Sequence, residues 1–202
     1  KRVSDWPAWI NRRKFERIMK EKLNIQVRAA GLEDLEEVGA LYDALNDYLE
    51  QPEHENYPRW KKNVYPVKEQ AREGIENGEL YAAVAEGRIA GTVICLHQQE
   101  EAYRTVSWQL PWDVPVIVIH ILAVHPEYFG RGVGEALLDH AAALARQEKR
   151  RAVRLDTYEK NLPASRLFEK CGFRFCGMAD LGLEEIYGLK WYRTYEKILE
   201  RI

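Results

Sequence analysis

Residues 115–124 read PVIVIHILAV, apolar at odd and even positions alike. A strand of that kind buries both of its faces, so it belongs in the middle of a sheet with layers packed above and below. The next stretch, HPEYFGRGVGEALLDHAAALARQ (125–147), sets glycines at 130, 132 and 134 and then passes straight into an Ala- and Leu-rich run. Leu137, Ala141, Leu144 and Ala145 share one face of that run, as in an amphipathic helix. RAVRLDTY (151–158) follows as a strand, and a strand–helix–strand crossover implies a parallel pair. This core predicts an α/β sandwich.

The flanking sequence extends the pattern. NIQVRAA (24–30) reads as a strand, and LEDLEEVGALYDALNDYLEQ as a helix with Leu35, Val38, Leu41, Tyr42, Leu45 and Leu49 on its apolar side. VKEQAREGIENG is a short helix stopped by glycine, and ELYAAVAEGRIAGTVICLHQ is a hairpin turning at Glu86-Gly87. After residue 158 come a short helix (NLPASRLFEKCG) and two strands, FRFCGMAD and LKWYRTYEKIL. The expected sheet is mixed, antiparallel early and parallel between 115–124 and 151–158.

Residues 4–22 read as a further amphipathic helix, with Trp6, Trp9, Ile10, Phe15, Ile18 and Met19 on one side. Residues 1–22 carry eight Lys or Arg against three acids. That stripe is expected to pack on its own domain or across a homodimer, because membrane docking normally needs a second signal. Domain boundaries are set at 1–22 for this extension and 23–202 for the α/β domain.

A net charge of −2 gives no footprint for nucleic acid, and no run approaches the 18 apolar residues of a membrane span. Cys95, Cys171 and Cys176 lack C-x-x-C spacing, which fits a reducing cytoplasm. No metal site is expected.

Glycines at a helix threshold let bare N–H groups approach an anion. A Walker loop is excluded because no Lys follows the glycines. A dinucleotide fingerprint fits poorly, even with Asp156 ending the next strand. Its third glycine falls on Glu135 or Leu137, depending on where the count begins.

Residues 121–138, ILAVHPEYFGRGVGEALL, closely resemble the central motif of the GNAT superfamily of acetyl-CoA-dependent N-acetyltransferases. DTYEKNLPASRLFEKCGF (156–173) is similar to that family's downstream block. The resemblance implies the GNAT acyl-CoA N-acyltransferase fold, here with an extra N-terminal helix. It also implies acetyl-CoA as cosubstrate, and a primary amine as acceptor: a small molecule, an amino acid, or a peptide or protein amine. The pyrophosphate is expected on the backbone of Arg131, Gly132, Val133, Gly134, Glu135 and Ala136, after Phe129 and Gly130, with the Arg131 side chain as a direct partner. The pantetheine arm is expected beside Leu122, Ala123 and Val124, with Asn161, Ala164 and Phe168 opposite.

Two positions depart from the family pattern. Phe129 stands where Arg or Gln is usual, and Phe168 where many members carry the Tyr that protonates the leaving thiolate. A non-catalytic acyl-CoA-binding or regulatory module on the same fold is the alternative these two phenylalanines raise.

An alkylammonium has to lose a proton before it attacks a thioester. His120 is the expected base, and simple alternation puts it on the side of Val116, Val118, Leu122 and Val124. Tyr158 and Asp156 are the alternatives, while His125, before Pro126, is expected to be structural, and Cys171 a small apolar filler. The acceptor site should be roofed by residues 50–66, with Glu53, His54, Glu55, Tyr57, Trp60 and Tyr65. Residues 98–113 should complete it, with Glu100, Glu101, Tyr103, Trp108 and Trp112. Carboxylates beside aromatic rings suit a cationic amine.

Overall fold

A computed structural model describes residues 23–54 and 57–200. The proposed helix over 1–22 and the acceptor-roof residue Glu55 lie outside the described residues. Seven strands form one sheet in the order β1-β2-β3-β4-β5-β7-β6. They are β1 (Ile25–Ala29), β2 (Leu80–Ala85), β3 (Arg88–Leu96), β4 (Val116–Val124), β5 (Ala152–Tyr158), β6 (Arg174–Asp180) and β7 (Trp191–Ile198). Every neighbouring pair is antiparallel except β4 and β5. The helices are α1 (Leu35–Leu49), α2 (Lys68–Glu76), α3 (Val133–Gln147), α4 (Leu162–Lys170) and the short α5 (Glu184–Tyr187).

The sheet is covered on both faces, as the doubly apolar β4 requires. α1 and α2 pack against one face, where Val38, Leu41 and Tyr42 meet Ile121 and Ala123. α3 and α4 cover the other, where Leu137, Leu138 and Ala141 meet Ile117, Ile119 and Leu155. The β2–β3 hairpin turns at Glu86 (φ 54°) and Gly87 (φ 75°), the two positive angles that a tight primed turn needs.

β4 departs from simple alternation. Cys95 of β3 faces Ile119, and Val93 faces Leu122, so β4 spends three steps where β3 spends two. The extra residue is a bulge at 120–121, and it reverses which face each later side chain takes. Val116 and Val118 pack with Tyr103, whereas Leu122 and Val124 pack with the α3 core. The alternation that put His120 on one side with all four residues therefore fails at the bulge.

The loop between β3 and β4 is anchored by a buried ion pair. Arg154 of β5 and Glu196 of β7 are cross-strand partners 2.8 Å apart, and neither side chain is exposed. The guanidinium also donates to the carbonyls of Leu110 and Pro111 and to Gln99, and it lies 4.5 Å from the Trp108 ring centre. Such a charge is tolerable inside a protein only when its donors are satisfied, and here the loop backbone does this. Among the described residues, no helix is long and apolar enough to cross a membrane.

Candidate active site

β4 and β5 pair only from Val116–Ala152 to Ile119–Leu155. Beyond that point β4 runs on to Val124 and β5 to Tyr158 without pairing each other. The bulge falls where they part, so the strands splay and leave an edge of β4 backbone facing the gap. A cavity of about 690 Å³ opens there. Leu122 and Val124 wall it from β4, and Asn161, Ala164, Leu167 and Phe168 wall it from α4 and its cap.

The glycine threshold forms one end of the cavity, where Phe129, Gly130, Gly132, Val133, Gly134 and Glu135 line it. Gly132 caps α3 in the left-handed region (φ 89°), a conformation that side chains rarely adopt. Gly134 serves packing, since a Cβ there would stand 2.8 Å from Leu167. Ala136 N–H closes on the Gly132 carbonyl at 3.0 Å. The N–H groups just ahead of it are those a helix start leaves without an intrahelical acceptor, and they carry the positive end of the helix dipole.

Not every expected residue reaches this end. Ala123 is fully buried beneath α1, and Ala136 lies outside the wall. Arg131 turns its side chain to Glu86, 3.2 Å away, and over the Tyr128 ring, so it is not aimed at the threshold. Glu135 is ion-paired with Lys170 across the mouth of the cavity. Phe129 packs edge to face on Tyr48 at 5.2 Å. Asn161 caps α4, accepting the Ala164 N–H, and donates to Thr157 Oγ1 at 2.8 Å. Phe168 is buried against Phe173 and Tyr195.

The other end is polar at its base and aromatic on its walls. His120 and Asp156 are the residues that immediately follow the last β4–β5 pair, one on each strand, and both line the cavity. The Tyr65 hydroxyl stands 3.2 Å from His120 Nε2. Burial and the nearby Asp156 charge push the Tyr65 phenol well above its usual range, so it stays protonated. Tyr103, buried and expected only as a roof aromatic, donates its hydroxyl to Asp156 Oδ2 at 2.5 Å. Burial raises the Asp156 carboxyl, while the Tyr103 bond and the His120 charge oppose that rise.

Tyr158 is buried against Leu189 and Tyr192, with part of its surface on the cavity. Tyr57, Trp60 and Tyr65 line the cavity as the 50–66 reading expects, and so does Glu100. Other roof residues are elsewhere. Trp108 and Trp112 pack in the loop cluster around Tyr103 and Val116, Glu101 pairs with Arg104 at the surface, and Glu53 is exposed. His54 stacks on Tyr48, with ring centres 3.8 Å apart. Sequence reasoning missed the β6–β7 connection, which contributes Leu181, Leu183, Tyr187 and Leu189. Its alternating leucines were the available signal.

His125 accepts the Glu127 N–H at 3.3 Å and caps the turn before the glycines. None of the three cysteines lines the cavity, and burial pushes the Cys95 thiol up to about 12. Among the described residues, no three His, Cys, Asp or Glu side chains group closely enough to hold a metal ion.

A family model described as the acetyltransferase (GNAT) family matches residues 40–173. Streptothricin acetyltransferase of Escherichia coli is 33% identical over 79 residues, 39% of this chain and 45% of that protein. The streptothricin acetyltransferase of Streptomyces lavendulae is 34% identical over 62 residues, 31% of this chain and 33% of that one. The matches thus span less than half the length of these curated relatives. A solved acetyltransferase of the GNAT family from Streptococcus agalactiae 2603 superposes with a TM-score of 0.65 at 21% identity. That superposition covers 87% of this chain and 96% of the other, a likeness of fold.

Proposed function

This chain belongs to the acetyltransferase (GNAT) family, and from that premise we propose that it transfers acetyl from acetyl-CoA to a primary amine by direct attack in a ternary complex. The observation that carries the reading is the parting of β4 from β5 at Ile119 and Leu155, with the glycine threshold at one end and His120 and Asp156 at the other. A pantetheine arm fits beside a free strand edge much as an added strand does. A pyrophosphate fits the unpartnered N–H groups and dipole at the start of α3.

Among the described residues, the cations near the threshold are already engaged, Arg131 by Glu86 and Lys170 by Glu135. In this reading the phosphates therefore rest mainly on backbone donors. Phe129 supplies an apolar wall where the family usually places a polar one.

At neutral pH only on the order of one in a thousand alkylamine molecules is unprotonated, since the ammonium pKa is ~10. His120, directly or through one water, takes the proton as the amine nitrogen attacks the acetyl carbon. The C–N bond forms, the C–S bond breaks and the electron pair leaves on sulfur. Phe168 has no proton to give, so solvent protonates the departing thiolate, a tolerable leaving group with a conjugate-acid pKa of ~8.5. The Tyr65 hydroxyl, 3.2 Å from His120 Nε2, holds the imidazole at the splay point.

The test is incubation with acetyl-CoA and a set of amines, measuring N-acetyl product by mass spectrometry and free thiol together. Equimolar product and thiol support the reading. Tight CoA binding with no turnover would favour the acyl-CoA-binding module that Phe129 and Phe168 suggest.

A further inference from the structure

The acceptor end of the cavity has an unequal charge inventory. Its walls are apolar and aromatic: Trp60 and Tyr65 meet edge to face at 5.5 Å, and Tyr65 and Tyr187 lie 6.2 Å apart. Leu183 and Leu189 continue that surface. The charged side chains lining the whole cavity, among the described residues, are Glu100, Glu135, Asp156 and Lys170, with His120 the one imidazole. Glu135 and Lys170 neutralise each other at the threshold end. Glu100 and Asp156 are left for the acceptor, and among the described residues no Arg or Lys lines that end with them, Arg59 standing behind the wall beside Gly188.

Asp156 is the better placed of the two acids. It adjoins His120 at the splay point, and Tyr103, itself without exposed surface, fixes Oδ2 by its 2.5 Å hydrogen bond. Glu100 is exposed at the edge. A single ammonium between these acids offsets their mutual repulsion and gains the aromatic faces beside it. A second ammonium further along would be desolvated against Leu183, Leu189 and the tyrosines without a partner. A carboxylate next to the amine would meet two like charges and, among the described lining residues at this end, no guanidinium or ammonium.

We propose that the acceptor is a primary monoamine carried on an apolar body, with its one ammonium held by Asp156 and Asp156 held in place by Tyr103. This rests on the acetyltransferase reading above. It makes Asp156 the specificity-determining residue and Tyr103 a positioning residue.

The test compares four probes with the full chain and acetyl-CoA: 2-phenylethylamine, phenylalanine, putrescine and trialanine. 2-Phenylethylamine should exceed each of the others in kcat/KM by about tenfold or more, the discrimination expected when a site leaves a charge unpaired. Equal or better turnover of putrescine, phenylalanine or trialanine overturns the proposal while leaving acetyl transfer intact. Absence of thiol release with all four overturns the proposal, and absence with the wider set of amines above overturns the acetyltransferase reading as well.

Asp156→Asn should raise KM for 2-phenylethylamine about tenfold with KM for acetyl-CoA unchanged, and an unchanged amine KM counts against the anchor. Tyr103→Phe removes a donor that favours the carboxylate form. The acidic limb of the amine KM profile should therefore move to higher pH. His120, Glu100, Tyr65 and Tyr192 also face Asp156 and are the same in both proteins. A Tyr103→Phe profile that superposes on the wild type contradicts the positioning role.

Discussion

His120 owes its place to a backbone irregularity. The bulge at 120–121 ends the pairing of β4 with β5 and opens the imidazole to the cavity, 3.2 Å from the Tyr65 hydroxyl. If it takes the acceptor's proton, His120→Ala should lose about 10²-fold in kcat/KM, with CoA affinity by calorimetry nearly unchanged. Near-wild-type turnover would shift the role to Tyr158 or Asp156. The candidate base was legible as the one titratable side chain on an apolar strand. Its neighbours were not, because alternation assumes a regular pleat and a one-residue bulge leaves no mark in composition. Arg131 illustrates a second limit. Its position beside the glycines suggested a phosphate partner, but its guanidinium pairs with Glu86 on the β2–β3 turn, 3.2 Å away. A salt partner 45 residues away cannot be read from local sequence.

At the scale of elements, the α3 threshold ties conformation to binding. Gly132 holds φ at 89° where it lines the cavity, whereas Gly78 holds φ at 71° away from it with nothing within 4 Å of a Cβ. Alanine at either position should cost on the order of 1 kcal/mol in stability by urea unfolding, from backbone strain alone. Only Gly132→Ala should also weaken CoA binding, by about tenfold. Equal CoA affinity in both variants would remove the threshold from the site. The elements themselves were largely legible, since the spacing of Leu35, Val38, Leu41, Tyr42, Leu45 and Leu49 is the buried stripe of α1. The doubly apolar 115–124 is likewise the central strand. α5 was missed because four residues are too few to show helical periodicity, and the leucines around it are ordered by the cavity they wall.

Across the whole molecule, the splay is braced from the side. Arg154 and Glu196 join β5 to β7 and hold the loop that delivers Tyr103 and Glu100 to Asp156. Arg154→Met should cost about 3–5 kcal/mol by leaving Glu196 buried and uncompensated, and adding Glu196→Leu should recover part of that loss. Additive losses in the double-mutant cycle would contradict the coupling. The same frame sets the thiols away from the cavity. Cys95 lies in the core, and Cys171 and Cys176 stand outside the cavity with burial raising both. The central claim is direct transfer between two molecules bound together in the β4–β5 gap. Initial-rate kinetics with acetyl-CoA and the amine both varied test it most directly. The account predicts intersecting double-reciprocal lines and no thiol release until amine is added. Parallel lines, with one equivalent of thiol released in the absence of amine, would show a covalent acetyl-enzyme and contradict it.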